Sequence, residues 1–202
     1  MQRKTSLRLH TLGPAGTNCE AAARHWLERR GDRSGEIVLH DTLEKALLAV
    51  LEKPGNSVLL GCVVYPRLHE IVFQNIKTMA LRECFVIPTH PMVLAGRSDG
   101  DIVMDASDAD GVAAGLRISS PAADRAVRVV SHPAPVSLLD GLDVRILAAD
   151  SNAQAARACA RGEADACITT IVAAEANGLD VIKNFGPVLM GYSIHAPHGT
   201  AL

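Results

Sequence analysis

The residues best suited to chemistry in this chain are short hydroxyls and amides placed where strands give way to helices. Thr17 and Asn18 stand in the run Leu12-Gly13-Pro14-Ala15-Gly16-Thr17-Asn18-Cys19-Glu20-Ala21-Ala22, between an alternating, strand-like segment and an Ala-rich helix. Gly13 and Gly16 let the backbone turn sharply and approach a ligand closely. Thr17 or Asn18 caps the helix, and the N–H groups of its first turn suit a carboxylate or phosphate. Ser151 and Asn152 repeat this arrangement ahead of a helix over Ala153–Arg161. Thr169 and Thr170 stand between a strand and another helix, Thr42 caps Leu43–Glu52, and Ser131 and His132 occupy a further strand-to-helix turn. His132 is the group there suited to exchange a proton near neutral pH. Arg67 and His69 offer two more partners for a carboxylate, the guanidinium through paired hydrogen bonds. These residue types point to recognition of a small anionic compound, a carboxylate or a phosphate.

The totals exclude several alternatives. The chain has 202 residues, a net charge of -2 and nearly half apolar side chains, enough for a substantial core in one domain or two small lobes. No Lys/Arg run and few aromatics (Trp26, Tyr65, Phe73, Phe85, Phe185, Tyr192) argue against nucleic acid. No apolar stretch long enough for a signal peptide or a membrane span follows the basic Met1–Thr5 segment, so a cytoplasmic protein is expected. The five cysteines are widely spaced without a C-x-x-C pair, as expected of small buried side chains in a reducing compartment. Cys19 is the exception to watch, because a helix N-terminus lowers a thiol pKa. His10, His25, His40, His90, His195 and His198 lack ligand spacing, so no metal is expected. No G-K-[ST] follows Gly13–Gly16, so ATP is not implied, and no cofactor is expected at all.

The elements alternate in the α/β manner. Strands are expected at Leu7–Leu12, Glu36–His40, Val58–Val64, Met79–Pro88, Met92–Gly96, Val127–Ser131, Val144–Ala148, Ala164–Thr169, Val181–Lys183 and Val188–Ala196. Helices are expected at Asn18–Arg30, Leu43–Glu52, Pro135–Leu142, Ala153–Arg161 and Thr170–Ala176, with a short helix or crossover at Ile71–Ile76. The segment Arg97–Leu116, with Asp99, Asp101, Asp105, Asp108 and Asp110, reads as a solvated loop or polar helix; it lacks the matching Glu of a calcium loop. The tail beyond Ala196 reads as frayed. This order predicts two lobes, 1–91 with 184–202 and 92–183, with a ligand cleft between them. The apolar run Val58–Val64 fits a core or an interface in a homodimer.

The opening run resembles the G-P-x-G-T-x-S-E-x-A-A start of the prephenate dehydratase catalytic domain. Ser151–Arg157 and Gly162–Ile168 resemble that family's N-S-T-x-A-A … G-x-x-x-A-A-I-A-S passage. The resemblance covers about four fifths of the chain and implies a two-lobed, type II periplasmic-binding-protein-like fold. Two departures bear on chemistry. The family's T-R-F motif, whose Thr is thought to protonate the leaving hydroxyl, corresponds to Val181-Ile182-Lys183-Asn184-Phe185-Gly186-Pro187, without Thr or Arg. Its P-x-E-N-S segment is replaced by Val64-Tyr65-Pro66-Arg67-Leu68-His69-Glu70. Bacilysin-type prephenate decarboxylases share the first loss. They resemble this chain further in Thr11–Thr17, Leu39-His40-Asp41-Thr42, Val130–Pro135, Asn152–Arg157 and the pair Thr169-Thr170. The resemblance implies a cofactor-free lyase of secondary metabolism that decarboxylates prephenate without aromatising it. In that role Thr17, Asn18, Thr42, Ser131, Ser151, Asn152, Thr169 and Thr170 bind substrate, and His132, Arg67 and His69 are the catalytic candidates. Two alternatives remain open at this level: a dehydratase-like enzyme for a seven-membered-ring, tropone-type precursor, and a non-catalytic small-molecule-binding module.

Overall fold

Alternating apolar residues assemble into two five-stranded sheets, one in each of two units of the chain. A computed structural model describes residues 6–100, 102–104, 115–118, 125–200 and 202. Met1–Thr89 carries β1 (Arg8–Leu12), α1 (Asn18–Arg29), β2 (Glu36–His40), α2 (Leu43–Glu52), β3 (Ser57–Cys62), α3 (Leu68–Gln74) and β4 (Met79–Pro88). His90–Val188 forms the second unit. It holds β5 (Met92–Arg97), β6 (Ile102–Met104), β7 (Leu116–Ile118), β8 (Val127–Ser131), β9 (Val144–Ala148), α4 (Asn152–Ala160), β10 (Ala166–Thr170), α5 (Ile171–Ala176) and β11 (Leu179–Gly186). Leu189–Leu202 belongs to the first unit and supplies β12 (Leu189–Pro197).

The sheet orders are β2-β1-β3-β12-β4 and β11-β5-β10-β8-β9. Each contains a parallel triplet, β2-β1-β3 or β10-β8-β9, with two antiparallel strands beside it. Parallel strands need crossovers, which α1 and α2 provide in the first unit and α4 in the second. In the first unit, α1 packs Ala22, Ala23, Trp26 and Leu27 on one sheet face against Leu9, Leu60 and Ile194. On the other face, α2 packs Leu43, Ala46, Leu47 and Val50 against Leu59. The α4 helix carries small residues, Ala155, Ala156 and Cys159, so it lies close to Val93, Val130 and Cys167.

The structure departs from several of these expectations. In place of a helix over Pro135–Leu142 there is one 3-10 turn, Val136–Leu139. Pro135 disfavours helical backbone at Ala134, and Gly141, at φ 83°, ends the segment. The short helix begins earlier than Ile71, at Leu68. The strand expected at Val181–Lys183 runs from Leu179 to Gly186 beside β5, absorbing two register shifts. Val63 and Val64 lie beyond β3 and are exposed. The tail is anchored, with the buried Thr200 donating its hydroxyl to Pro54 O at 2.8 Å and accepting from Arg82 at 2.8 Å. In the acidic segment, β6 and β7 pair antiparallel, and Asp99 pairs with Arg97 at 3.0 Å. Asp101, Asp105, Asp108 and Asp110 lie outside the described residues.

Candidate carboxylate-binding site

In each unit the candidate residues follow the carboxyl ends of the parallel triplet, where open α/β sheets take their ligands. Thr17 and Asn18 follow β1, Thr42 follows β2, and Arg67 and His69 follow β3. In the second unit, Ser131 and His132 end β8, Ser151 and Asn152 follow β9, and Thr169 and Thr170 end β10.

The β1–α1 turn is built closely. Gly13 donates its N–H to His40 O at 2.7 Å, and a side chain on it would meet Leu39 Cβ at 3.2 Å. Gly16 has φ 79°, a conformation that favours glycine. Thr17 is the N-cap of α1 with extended backbone, yet its side chain makes no cap bond. Its Oγ1 is buried and has no hydrogen-bond partner in the protein. The first intrahelical bond runs from Ala21 N–H to Thr17 O at 3.1 Å, so the N–H groups of Cys19 and Glu20 precede the helical ladder. The Glu20 carboxylate would oppose an incoming anion, but Gly16 N–H at 2.6 Å and Arg24 at 2.9 Å hold it. Thr42, by contrast, is an ordinary cap whose hydroxyl accepts from Lys45 N at 3.2 Å.

The second cluster has the same logic. Ser151 caps α4 by accepting from Gln154 N at 3.1 Å, and the Gln154 side chain accepts from Asp150 N at 2.7 Å. No acidic residue stands in the first turn of α4. Asn152 opens the helix with its Oδ1 buried and unpartnered, while its carbonyl accepts from the Thr169 hydroxyl at 2.7 Å. Thr170 spends its hydroxyl on Ala173 N at 3.3 Å. The Ser131 hydroxyl donates to His132 O at 2.8 Å. His132 Nδ1 accepts from Ala134 N at 3.1 Å, which fixes the neutral ring as the Nε2–H tautomer. Burial pulls the His132 pKa below the usual histidine value, and Asp150 only partly offsets it. At neutral pH His132 is therefore a neutral donor rather than a stored proton.

Arg67 and His69 are placed differently. The exposed Arg67 pairs with Glu70 at 2.9 Å and reaches Glu44 at 3.5 Å, so its charge is already matched. Glu70, then Glu44, holds its pKa above the usual value. Tyr65 donates to Glu44 at 2.7 Å. His69 lines a surface hollow of about 430 Å³ with Val63, Leu68 and Phe73.

The pairing of His10 with His40 escaped the sequence reading. His10 Nδ1 lies 2.9 Å from His40 Nε2, the rings stack, and His10 Nε2 is buried without a partner. Burial, then His40 and Arg8, lowers the His10 pKa to about 4. Cys19 is no reactive thiol: a hydrogen bond with Cys62, then burial, pushes its pKa well up. Tyr192, buried with no partner for its hydroxyl, lies in the same core cluster. The strand register is what brings the two histidines together. His10 and His40 fall in neighbouring parallel strands, His10 opposite Val38 and His40 opposite Leu12. Among the described residues no three His, Cys, Asp or Glu side chains converge as a metal set, and no helix is long and apolar enough to cross a membrane.

No protein-family model matches the chain. It is 28% identical over 196 residues to a prephenate decarboxylase of Bacillus subtilis strain 168, covering 93% of this chain and 85% of that protein. It is 27% identical to a prephenate decarboxylase of Bacillus amyloliquefaciens, with the same coverage. Among solved structures it resembles the prephenate dehydratase of Arthrobacter aurescens, with a TM-score of 0.62 at 18% identity. That match covers 96% of this chain, which spans 61% of the dehydratase chain. The VFT2 domain of Bordetella pertussis BvgS, a periplasmic domain, matches with a TM-score of 0.53 at 17% identity. The resemblance seen in the motifs thus extends over nearly the whole chain, and the expected α/β fold is the one found.

Proposed function

We propose that this chain is a cofactor-free carboxy-lyase that removes the ring carboxylate of prephenate and leaves the ring non-aromatic. The observation that carries this reading is the similarity to prephenate decarboxylases over 93% of the chain. The chemistry is self-consistent. When the bond from ring to carboxylate breaks, carbon dioxide leaves and its electron pair enters the cyclohexadiene. An acid at the ring hydroxyl would expel water and make the ring aromatic. Where no acid stands there, a proton adds to ring carbon and the hydroxyl stays. The product is a dihydro-4-hydroxyphenylpyruvate, and one proton is consumed for each carbon dioxide released.

The protein's task in this scheme is orientation and exclusion of the competing outcome. The first turn of α1, with the unpartnered Thr17 hydroxyl, binds a substrate carboxylate, as do Ser151 and Asn152 at α4. Asn18, Thr42, Ser131, Thr169 and Thr170 shape these turns. Neutral His132 donates a hydrogen bond through Nε2. Arg67 meets substrate only by exchanging a bond to Glu70 or Glu44, and His69 stands beside it. Placement in a reducing cytoplasm and in secondary metabolism, such as antibiotic synthesis, completes the proposal. The five unpaired cysteines agree with the former.

The test is incubation with fresh prephenate, following carbon dioxide and the product by NMR. Carbon dioxide with a hydroxylated, non-aromatic product is expected. Phenylpyruvate above the uncatalysed rate would place an acid at the hydroxyl and overturn the non-aromatising step. Unchanged prephenate would remove it as substrate and favour a seven-membered-ring precursor or a binding role.

A further inference from the structure

The apolar stripe of α1 begins on a thiol. Cys19, Ala22, Ala23, Trp26 and Leu27 are the buried residues of this helix, spaced to lie on one face. Cys62 is the last residue of β3, and it shares the α1 face of the sheet with Val58 and Leu60. Cys19 and Cys62 therefore pack in one apolar cluster, where the two thiols hydrogen-bond.

The two members are not equivalent. Cys19 is buried, whereas Cys62 is half-buried. The hydrogen bond from Cys19 lowers the Cys62 pKa against the opposing effect of burial, and a backbone bond to Val64 adds to it. Directly across the ladder from Cys62 stands Tyr192, its hydroxyl buried without a partner. Burial, then Cys62 and Cys19, raise the Tyr192 pKa, so the phenol stays a neutral donor beside the pair. The other thiols are placed differently. Cys159 and Cys167 are fully buried in the second unit. Cys84 is exposed, but it pairs in register with Ser193 and so lies on the sheet face opposite Tyr192 and Cys62. An oxidant can reach Cys62 and Cys84, and within the first unit only Cys62 has a second thiol at hand.

We propose that Cys19 and Cys62 are an oxidisable dithiol, closed by a peroxide into a disulfide that disables the turn at Thr17. The Cys62 thiolate attacks one peroxide oxygen, the O–O bond breaks and hydroxide leaves, giving a sulfenic acid. The Cys19 sulfur then attacks the Cys62 sulfur. The S–O bond breaks, and the departing hydroxide takes the Cys19 proton as water. The two thiols lose two electrons, the peroxide gains them, and two waters form. A sulfur–sulfur bond of about 2.05 Å is much shorter than a hydrogen bond between thiols, so closing it draws the first turn of α1 toward β3. Cys19 supplies one of the free N–H groups of that turn, two residues from Thr17, and anion binding there weakens. The loss of binding rests on the proposed function, whereas formation of the disulfide does not.

The test is titration of the reduced protein with hydrogen peroxide, followed by intact mass and peptide mapping. The mass should fall by that of two hydrogen atoms, with the Cys19 peptide joined to the Cys62 peptide, before Cys84 is oxidised. Dithiothreitol should reverse the change. Cys62→Ser should form no disulfide, and Cys19→Ala should stop at a Cys62 sulfenic acid that dimedone traps. Circular dichroism checks that both variants are folded. Oxidised wild type should show a KM for prephenate raised by about tenfold or more, the worth of one hydrogen bond to a charged group. Reduction should restore it, and Cys62→Ser should ignore peroxide. A wild type in which Cys84 oxidises first, or whose disulfide joins any other pair, overturns the inference. A Cys19–Cys62 disulfide that leaves KM unchanged overturns control of the turn. If the reduced protein does not consume prephenate, the proposed function fails, while mass and peptide map still decide the dithiol.

Discussion

Thr17 buries a hydroxyl that no group in the protein uses. A buried hydroxyl without a partner costs about 1–3 kcal/mol, so a protein keeps one where something else uses it. Thr17 stands at a helix start with its backbone in capping geometry, yet its hydroxyl does not cap. Thr42, Ser151 and Thr170 do use theirs on backbone N–H groups. All four are short hydroxyl residues at strand-to-helix turns, so residue type and position alone do not tell which hydroxyl caps and which stays free. The side-chain torsion that separates them comes from packing. Replacing Thr17 with Val keeps the shape and removes only the hydroxyl. Thermal stability without ligand should hold or rise slightly. If Oγ1 binds a substrate carboxylate, kcat/KM with prephenate should fall about 10- to 100-fold, the worth of one hydrogen bond to a charged group. An unchanged kcat/KM would show that the hydroxyl does not touch substrate in the transition state.

At the scale of elements, most of the fold was legible because parallel strands announce themselves. Val58–Leu60 is a run of buried apolar residues, and the caps at Thr42 and Ser151 mark where helices begin. Elements ended by tertiary contacts were not legible. Nothing local extends β11 to Gly186; its partner β5 does. The alternation of β1 likewise hid the meeting of His10 with His40, since each alone reads as a polar residue in a strand. Their contact gives the β1–β2 pair a pH dependence with a definite sign. Burial holds the His10 pKa at about 4, below its unfolded value of 6.5, so the unfolded chain binds more protons between these limits. Stability is therefore fully present above about pH 6.5 and is lost as the pH falls toward 4, by roughly 2–3 kcal/mol. Burial shifts His40, His132 and His195 in the same direction. Urea unfolding at pH 7 and pH 5 should show the loss, and His10→Gln should flatten it. A His10→Gln profile as steep as the wild type would assign the pH dependence to the other histidines.

For the whole molecule, the division into two units carries an energetic consequence. Each has its own sheet and its own apolar clusters, and the second is a single uninterrupted stretch, His90–Val188. Such a stretch is large enough to unfold as its own cooperative unit. Asp165 is a main tie within it. The carboxylate accepts two bonds from Arg125, at 2.6 and 2.8 Å, one from Arg128 Nη2 at 3.0 Å and one from Arg128 N at 2.9 Å. Arg125 and Arg128 keep its pKa well below the usual carboxylate range. The only tryptophan, Trp26, is fully buried in the first unit, bonded to Glu83 at 2.8 Å. Its fluorescence therefore reports on the first unit while far-ultraviolet circular dichroism reports on both. Asp165→Ala leaves Arg128 N–H without its acceptor and should destabilise the second unit by about 2–4 kcal/mol. The dichroism melt should then move to lower temperature and broaden, while the Trp26 transition stays near its wild-type position. If both probes shift together, the two units unfold as one, and the independence argued from their separate cores is wrong.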